Sequence, residues 1–201
     1  MDHDGVVFVE RLDGLATVVL NRPDKLNALN KEMWARLGPI FIDLHKDETV
    51  RCVVLRGAGD KALGPGADIK EFELERANSS KASEYGKLMH NAMTAIAECR
   101  HPVIARIQGL CVGGALELAA VCDLRIASDK SRFGIPVNRL GLVMSHYEMA
   151  GLIELVGKSI ALEILFEGRI FDAEEALNKG LLNKVVLDKD LDLELGAMVE
   201  R

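Results

Sequence analysis

Residues 6–11 (Val-Val-Phe-Val-Glu-Arg) and 16–21 (Ala-Thr-Val-Val-Leu-Asn) are strand-like runs rich in β-branched side chains. The Asp13-Gly14 pair between them has the composition of a tight hairpin turn. Residues 51–56 hold the short apolar run Cys52-Val53-Val54-Leu55, which suits a strand buried on both faces of a parallel sheet, and residues 103–108 read as another buried strand. Residues 124–127 and 185–187 read as further short strands. Helical spacing separates these runs. Asn30 has the chemistry of an N-cap for a helix reaching about Lys46, with Gly38-Pro39 expected to kink or divide it. Residues 67–76 turn helical, and residues 81–99 place Leu88, Met89, Ala92, Met93, Ile96 and Ala97 at helical spacing before Pro102. Helical patterns also cover 148–156, 159–166 and 173–179, the last with an Asp172/Glu175 capping pair and a closing Gly180. Between them, 57–66 reads as a loop, 75–83 as a polar mobile segment and 133–136 as a turn. Strands alternating with helices predict an α/β fold around a mainly parallel sheet, with no internal repeat.

Length and charge narrow this picture. The 201 residues suffice for one domain with a sizeable core, and a hydrophobic share of 49% argues against disorder. A net charge of −6 without a basic cluster disfavours nucleic acid, while leaving room for a local basic site for a phosphorylated ligand. Cys52, Cys99, Cys111 and Cys122 lie in apolar segments without C-x-x-C spacing, as buried reduced thiols do. His3, His45, His90, His101 and His146 show no metal-ligand spacing, so no metal is expected. The acidic start Met-Asp-His-Asp-Gly lacks the apolar core of a signal peptide, and no apolar stretch reaches membrane-spanning length. The expectation is a soluble cytoplasmic protein.

Candidate chemistry concentrates in residues 108–125. Gly113-Gly114 opens an apolar run from Ala115 to Cys122 that a single carboxylate, Glu117, interrupts. Glycines permit unusual backbone and close approach of a ligand, and the unbonded N–H groups that open a helix attract negative charge. Glu117, one turn in, has the place of an acid/base beside an oxyanion hole. Burial raises the pKa of such a carboxylate while a helix N-terminus lowers it, for an expected partial rise. Glu117 could equally cap its own helix or pair with Arg125 or Arg132. Gly64-Pro65-Gly66-Ala67-Asp68-Ile69-Lys70 is a second glycine-rich turn entering a helix. Two such turns, each after a buried parallel strand, would share the carboxyl edge of the sheet, where ligands bind. Other motifs fall away. The run from Gly151 to Ser159 has five residues between its first glycines where a phosphate-binding loop needs four, and those are apolar and helical. Ser145, His146 and Glu148 are too close together to orient as a triad.

The chain resembles the crotonase (enoyl-CoA hydratase/isomerase) superfamily. The resemblance rests on the segment Leu20-Asn21-Arg22-Pro23-Asp24-Lys25-Leu26-Asn27-Ala28-Leu29, on Gly66-Ala67-Asp68-Ile69-Lys70, and on Gly113-Gly114-Ala115-Leu116-Glu117-Leu118-Ala119 with Cys122-Asp123-Leu124-Arg125-Ile126-Ala127. It continues through Phe133-Gly134-Ile135-Pro136, Gly141-Leu142, Leu155-Val156-Gly157-Lys158 and Gly180-Leu181-Leu182. It implies a single crotonase-like domain over residues 1–201, a spiral of ββα repeats, assembled as a homotrimer or a hexamer of two trimers. It also implies an acyl-CoA thioester as ligand and no separate cofactor, since the substrate carries coenzyme A. By position, the N–H groups of Ala67 and Gly114 would hold the thioester oxygen, and Glu117 falls on the first of two catalytic glutamates of the hydratases. Lys25, Leu26, Ala67, Asp68, Ile69 and Lys70 would line the coenzyme A site.

Three departures stand out. Val137, followed by Asn138, occupies the position of the second hydratase glutamate, and valine cannot move a proton. Met144-Ser145-His146-Tyr147-Glu148 replaces a small glycine-rich turn, which would bring His146 and Tyr147 to the acyl pocket with Gly113 and Val137. The sequence stops at Arg201, short of most of the usual C-terminal helical extension. Two function classes follow: an acyl-CoA-processing hydratase or isomerase using Glu117, or a catalytically silent binding or scaffolding relative. A buried carboxylate without a use costs stability, which favours the enzyme.

Overall fold

A computed structural model describes residues 5–75, 77–141 and 143–201. His3 and Leu142, both used in the sequence reading, lie outside these ranges, as does Arg76 within the segment expected to be mobile. Strands β1 (Val7–Leu12) and β2 (Leu15–Leu20) form the expected hairpin, with Asp13 at φ 46° and Gly14 at φ 83°. Two successive positive φ values match a turn to the right-handed twist of its strands. Helix α1 (Lys31–Lys46) starts where Asn30 accepts a hydrogen bond from the Met33 N–H at 2.9 Å. Pro39 lies inside α1 and does not divide it. It sits on the exposed face together with Ala35, whose carbonyl loses its helical donor there and can turn to water.

The chain then runs through β3 (Cys52–Gly57), β4 (Ala62–Gly64), α2 (Ile69–Glu75), α3 (Ser79–Ala97), β5 (Val103–Ile107), β6 (Leu110–Val112), α4 (Gly114–Ala120), β7 (Leu124–Ser128) and β8 (Arg132–Gly134). It closes with α5 (His146–Glu167), β9 (Phe171–Asp172), α6 (Ala173–Asn178), β10 (Lys184–Val186) and α7 (Leu191–Glu200). The two patterns read at 148–156 and 159–166 are the halves of α5, separated at Gly157, where φ is 78° and ψ 160°. Residues 62–64 and 132–134, read as loop and turn, are strands; each is only three residues long and ends in glycine, too short to show a period.

These short strands organise the molecule. One sheet has the order β1-β2-β3-β5-β7-β10 and is parallel except at β1; a second has the order β4-β6-β8-β9. The pairs β3–β4, β5–β6 and β7–β8 each place their first strand in the large sheet and their second in the small one, followed in each case by helix. The fold is α/β, a spiral of ββα units with mainly parallel sheets. Alternate residues of the large sheet face opposite ways. Val53, Leu55, Val103, Ala105 and Ala127 join the main core with α1 and α3, while Cys52, Val54, Ile104 and Ile126 pack on Leu191 and Leu195 of α7. Among the described residues no helix is long and apolar enough to cross a membrane.

Candidate active site

Strands β4 and β6 are parallel neighbours, so the turns that leave them share one edge of the small sheet. Each turn carries a glycine with positive φ, Gly66 at 106° and Gly113 at 54°. The two turns run close to one another: a Cβ on Gly66 would lie 3.2 Å from the Val112 carbonyl oxygen and 3.7 Å from the Gly114 nitrogen, and one on Gly113 would lie 3.4 Å from the Gly66 Cα. Both φ values favour glycine, and at Gly66 an added carbon would also crowd the Val112 carbonyl.

The first turn is also pinned from behind. The Leu29 N–H donates to the Gly66 carbonyl and the Asp68 N–H to the Leu29 carbonyl, each at 2.8 Å, an isolated parallel bridge between Leu29 and Ala67. That pattern uses the groups flanking Ala67, so the N–H of Ala67 itself faces away from Leu29. Among the described residues neither the Ala67 nor the Gly114 N–H has an acceptor.

Both glycine turns line a cavity of about 260 Å³, and Glu117 lines it too. Glu117 is 6% exposed, with Ala115, Leu116, Leu118, Ala119 and Ala120 buried around it. Both arginines considered as its partner are engaged elsewhere. Arg125 donates to the carbonyls of Ala119, Cys122 and Asp123 and to Asn183 Oδ1, and Arg132 to the carbonyls of Lys130 and Ser131.

Val137 lines the same cavity. The Asn138 side chain turns out instead and donates to the Phe166 carbonyl at 2.9 Å. His146 and Tyr147 do not line the cavity beside Glu117: His146 is exposed, and Tyr147, 65% exposed, lines an adjoining cavity that shares Met89, Val143, Met144 and Glu148 with it. The Tyr147 ring lies against His90, with centroids 4.7 Å apart. Helix phase is the reason. Ser145 caps α5, so residues 146 and 147 begin its outer face, while Glu148 shares a face with buried Leu152 four residues on. Glu148 therefore lines the cavity. Its sequence signal, a Ser-x-x-Glu capping pair, points only to a helix start.

Sequence reasoning also passed over Trp34 and Asn27. Trp34, 1% exposed, packs behind Gly114: a Cβ there would meet its Cζ2 at 3.3 Å. Asn27, 1% exposed and at φ 62°, accepts from the Arg22 N–H at 3.0 Å and donates to the carbonyls of Ala58 and Ala62 at 3.0 and 2.8 Å. It ties the loop after β2 to the β3–β4 turn.

Of the residues expected at the coenzyme A site, Asp68 pairs with Arg22 at 2.9 Å, and Arg22 also donates to the Ala28 carbonyl at 2.7 Å. With the Leu29–Ala67 bridge, this brings the loop of Lys25 and Leu26 beside the turn of Ala67, Asp68, Ile69 and Lys70. Ile69 is 57% exposed, and the exposed ammonium groups of Lys25 and Lys70 have no carboxylate partner among the described residues.

Comparison with known proteins identifies the family. Residues 10–201 match the enoyl-CoA hydratase/isomerase family. The short-chain-enoyl-CoA hydratase of Clostridium acetobutylicum is 36% identical over 92% of this chain and 70% of its own length. The crotonyl-CoA hydratase of Syntrophomonas wolfei is 34% identical over the same shares, 92% and 70%. A solved structure described as an enoyl-CoA hydratase/carnithine racemase from Magnetospirillum magneticum superposes with a TM-score of 0.96 at 46% identity, covering 98% of this chain and 74% of that one. This chain belongs to the enoyl-CoA hydratase/isomerase family of enzymes.

Proposed function

We propose that the chain holds an acyl-CoA thioester with its carbonyl oxygen on the N–H groups of Ala67 and Gly114, and that Glu117 moves the proton at the carbon next to that carbonyl. One observation carries this reading: two glycine turns from distant segments run close together and line one cavity with Glu117. Adding or removing a proton beside a thioester puts charge on the carbonyl oxygen. Each donor already aimed at that oxygen lowers the barrier by about 3 kcal/mol, because nothing must reorganise when the charge forms. A carboxylate shielded from water transfers that proton without competition from solvent. The chemistry needs only protons and a thioester, so coenzyme A enters as part of the substrate and no other cofactor is called for. Lys25 and Lys70, exposed beside Ile69, suit the phosphates and adenine of that carrier.

Hydration of a 2-enoyl-CoA and isomerisation of a 3-enoyl-CoA both pass through this enolate. Following the absorbance of crotonyl-CoA and of a 3-enoyl-CoA tests the reading. Glu117→Gln is expected to lower kcat by about a hundred- to ten-thousand-fold with acyl-CoA binding retained. Full activity in Glu117→Gln would overturn the role of Glu117.

The same reading takes residues 1–201 as one domain that works in the cytoplasm as a homotrimer or hexamer. Exposed Phe166, at 74%, and Ile170, at 41%, offer apolar surface for such contacts. Light scattering is expected to return three or six times the 22.0 kDa chain mass; a monomer would contradict this part.

A further inference from the structure

Glu117 is not the only carboxylate on its cavity. Glu148, in the first turn of α5, lines the same 260 Å³ space and also borders a neighbouring cavity of about 450 Å³ between α3 and α5. We propose that Glu148 is a second catalytic acid/base of this enzyme, handling the proton of the attacking water while Glu117 serves the carbon beside the thioester. The proposal rests on the acyl-CoA reading above and adds a residue that reading does not use.

Three features carry it. The side chain is held: the Glu148 N–H donates to Ser145 Oγ at 3.3 Å, and Glu148 Oε2 accepts from the Ser145 N–H at 2.5 Å. Among the described residues, that leaves Oε1 with no hydrogen-bond partner and no cation within ion-pairing distance. A half-buried, oriented carboxylate with a whole oxygen to spare is what proton transfer needs. The wall itself supplies the third feature. Its other charged residue among those described is Arg139, a guanidinium with donors only, and Val137 has no proton to give or take. Among the described residues of the cavity wall, Glu117 and Glu148 are thus the two carboxylates.

The step balances. As the water oxygen bonds to carbon 3 of a 2-enoyl thioester, the Glu148 carboxylate takes one water proton and the double-bond pair moves into the enolate. The enolate then forms a C–H bond at carbon 2 with the proton of the Glu117 carboxylic acid. Water has been added, Glu148 is left protonated and Glu117 ionised, and solvent returns the proton between them.

Two substitutions separate this role from a purely structural one, because the capping box accepts glutamine as readily as glutamate. Glu148→Gln keeps the cap and removes the acid; Glu148→Asp keeps the acid and loses the reach of the cap. Hydration of crotonyl-CoA is measured alongside hydrogen–deuterium exchange at carbon 2 of butyryl-CoA, which needs only Glu117 and the carbonyl site. Glu148→Gln is expected to lower hydration about a hundred- to thousand-fold, to leave KM and the exchange rate within about threefold, and to remove one limb of the pH–rate profile. Glu148→Asp is expected to retain more hydration than Glu148→Gln. The reverse order, or hydration at the wild-type rate in Glu148→Gln, would reduce Glu148 to a cap. Exchange without hydration in the wild type would overturn this proposal and leave the acyl-CoA reading standing. Absence of both would remove the two together.

Discussion

A single methyl group at residue 114 is expected to separate positioning from binding. The Cβ of Gly114→Ala would press on Leu29 Cδ1 and Trp34 Cζ2, both at 3.3 Å, so the turn must give by a few tenths of an ångström. A displaced donor weakens transition-state binding more than ground-state binding. We expect kcat to fall on the order of tenfold or more with KM little changed. Gly196→Ala in α7, where nothing lies within 4 Å of the added carbon, is the control and is expected to raise stability by about 1 kcal/mol. Unchanged kcat in Gly114→Ala would argue against a role for this turn. At this scale the sequence announces Gly113, Gly114 and Glu117, because a glycine pair and a lone acid stand out in an apolar run. It does not announce Glu148 or Asn27. A capping pair and a loop asparagine are common for local reasons, and only tertiary contacts turn one into a cavity wall and the other into a three-bond buried tie. Which cavity His146 and Tyr147 face is not legible in the sequence, because it depends on which residue starts α5, a boundary that their chemistry does not mark.

Elements are joined here by polar contacts as well as by the core. Asp188, just before α7, accepts from Ser128 Oγ at 2.5 Å at the end of β7 and from Gln108 Nε2 at 3.1 Å after β5. These bonds hold its carboxyl below the ordinary aspartate pKa, the Ser128 hydroxyl most and the Gln108 amide next. A carboxylate whose folded pKa is depressed stabilises the fold above its unfolded value, near 3.8, and that contribution disappears as pH falls through the lower folded value. Asp188→Asn is therefore expected to be less stable than wild type at about pH 7, and to lose less on acidification to about pH 3, as read by urea unfolding. Parallel curves for the two proteins would show that the contact is not linked to folding. Longer elements are legible for a simple reason: α3 and the halves of α5 repeat their period often enough to be read, and Asn30 and Asp172 cap where their chemistry says. Strands β4 and β8 are not, since three residues ending in glycine carry no period.

Across the whole molecule, the small sheet does what the large one cannot. Three ββα units each contribute a strand to both sheets, and the turns after β4 and β6 meet because those strands are neighbours. An alternating strand and helix pattern foretells a parallel sheet but not this second layer; the segment-by-segment likeness to the crotonase family implied it, and the topology bears it out. The proposed carbonyl site, with Glu117 on the same cavity wall, depends on that one adjacency. The most direct measurement is a crystal structure of Glu117→Gln with crotonyl-CoA bound. The thioester oxygen is expected within about 2.7–3.1 Å of both the Ala67 and Gly114 nitrogens, with residue 117 facing carbon 2. An oxygen that reaches only one of those nitrogens, or neither, would contradict the central claim.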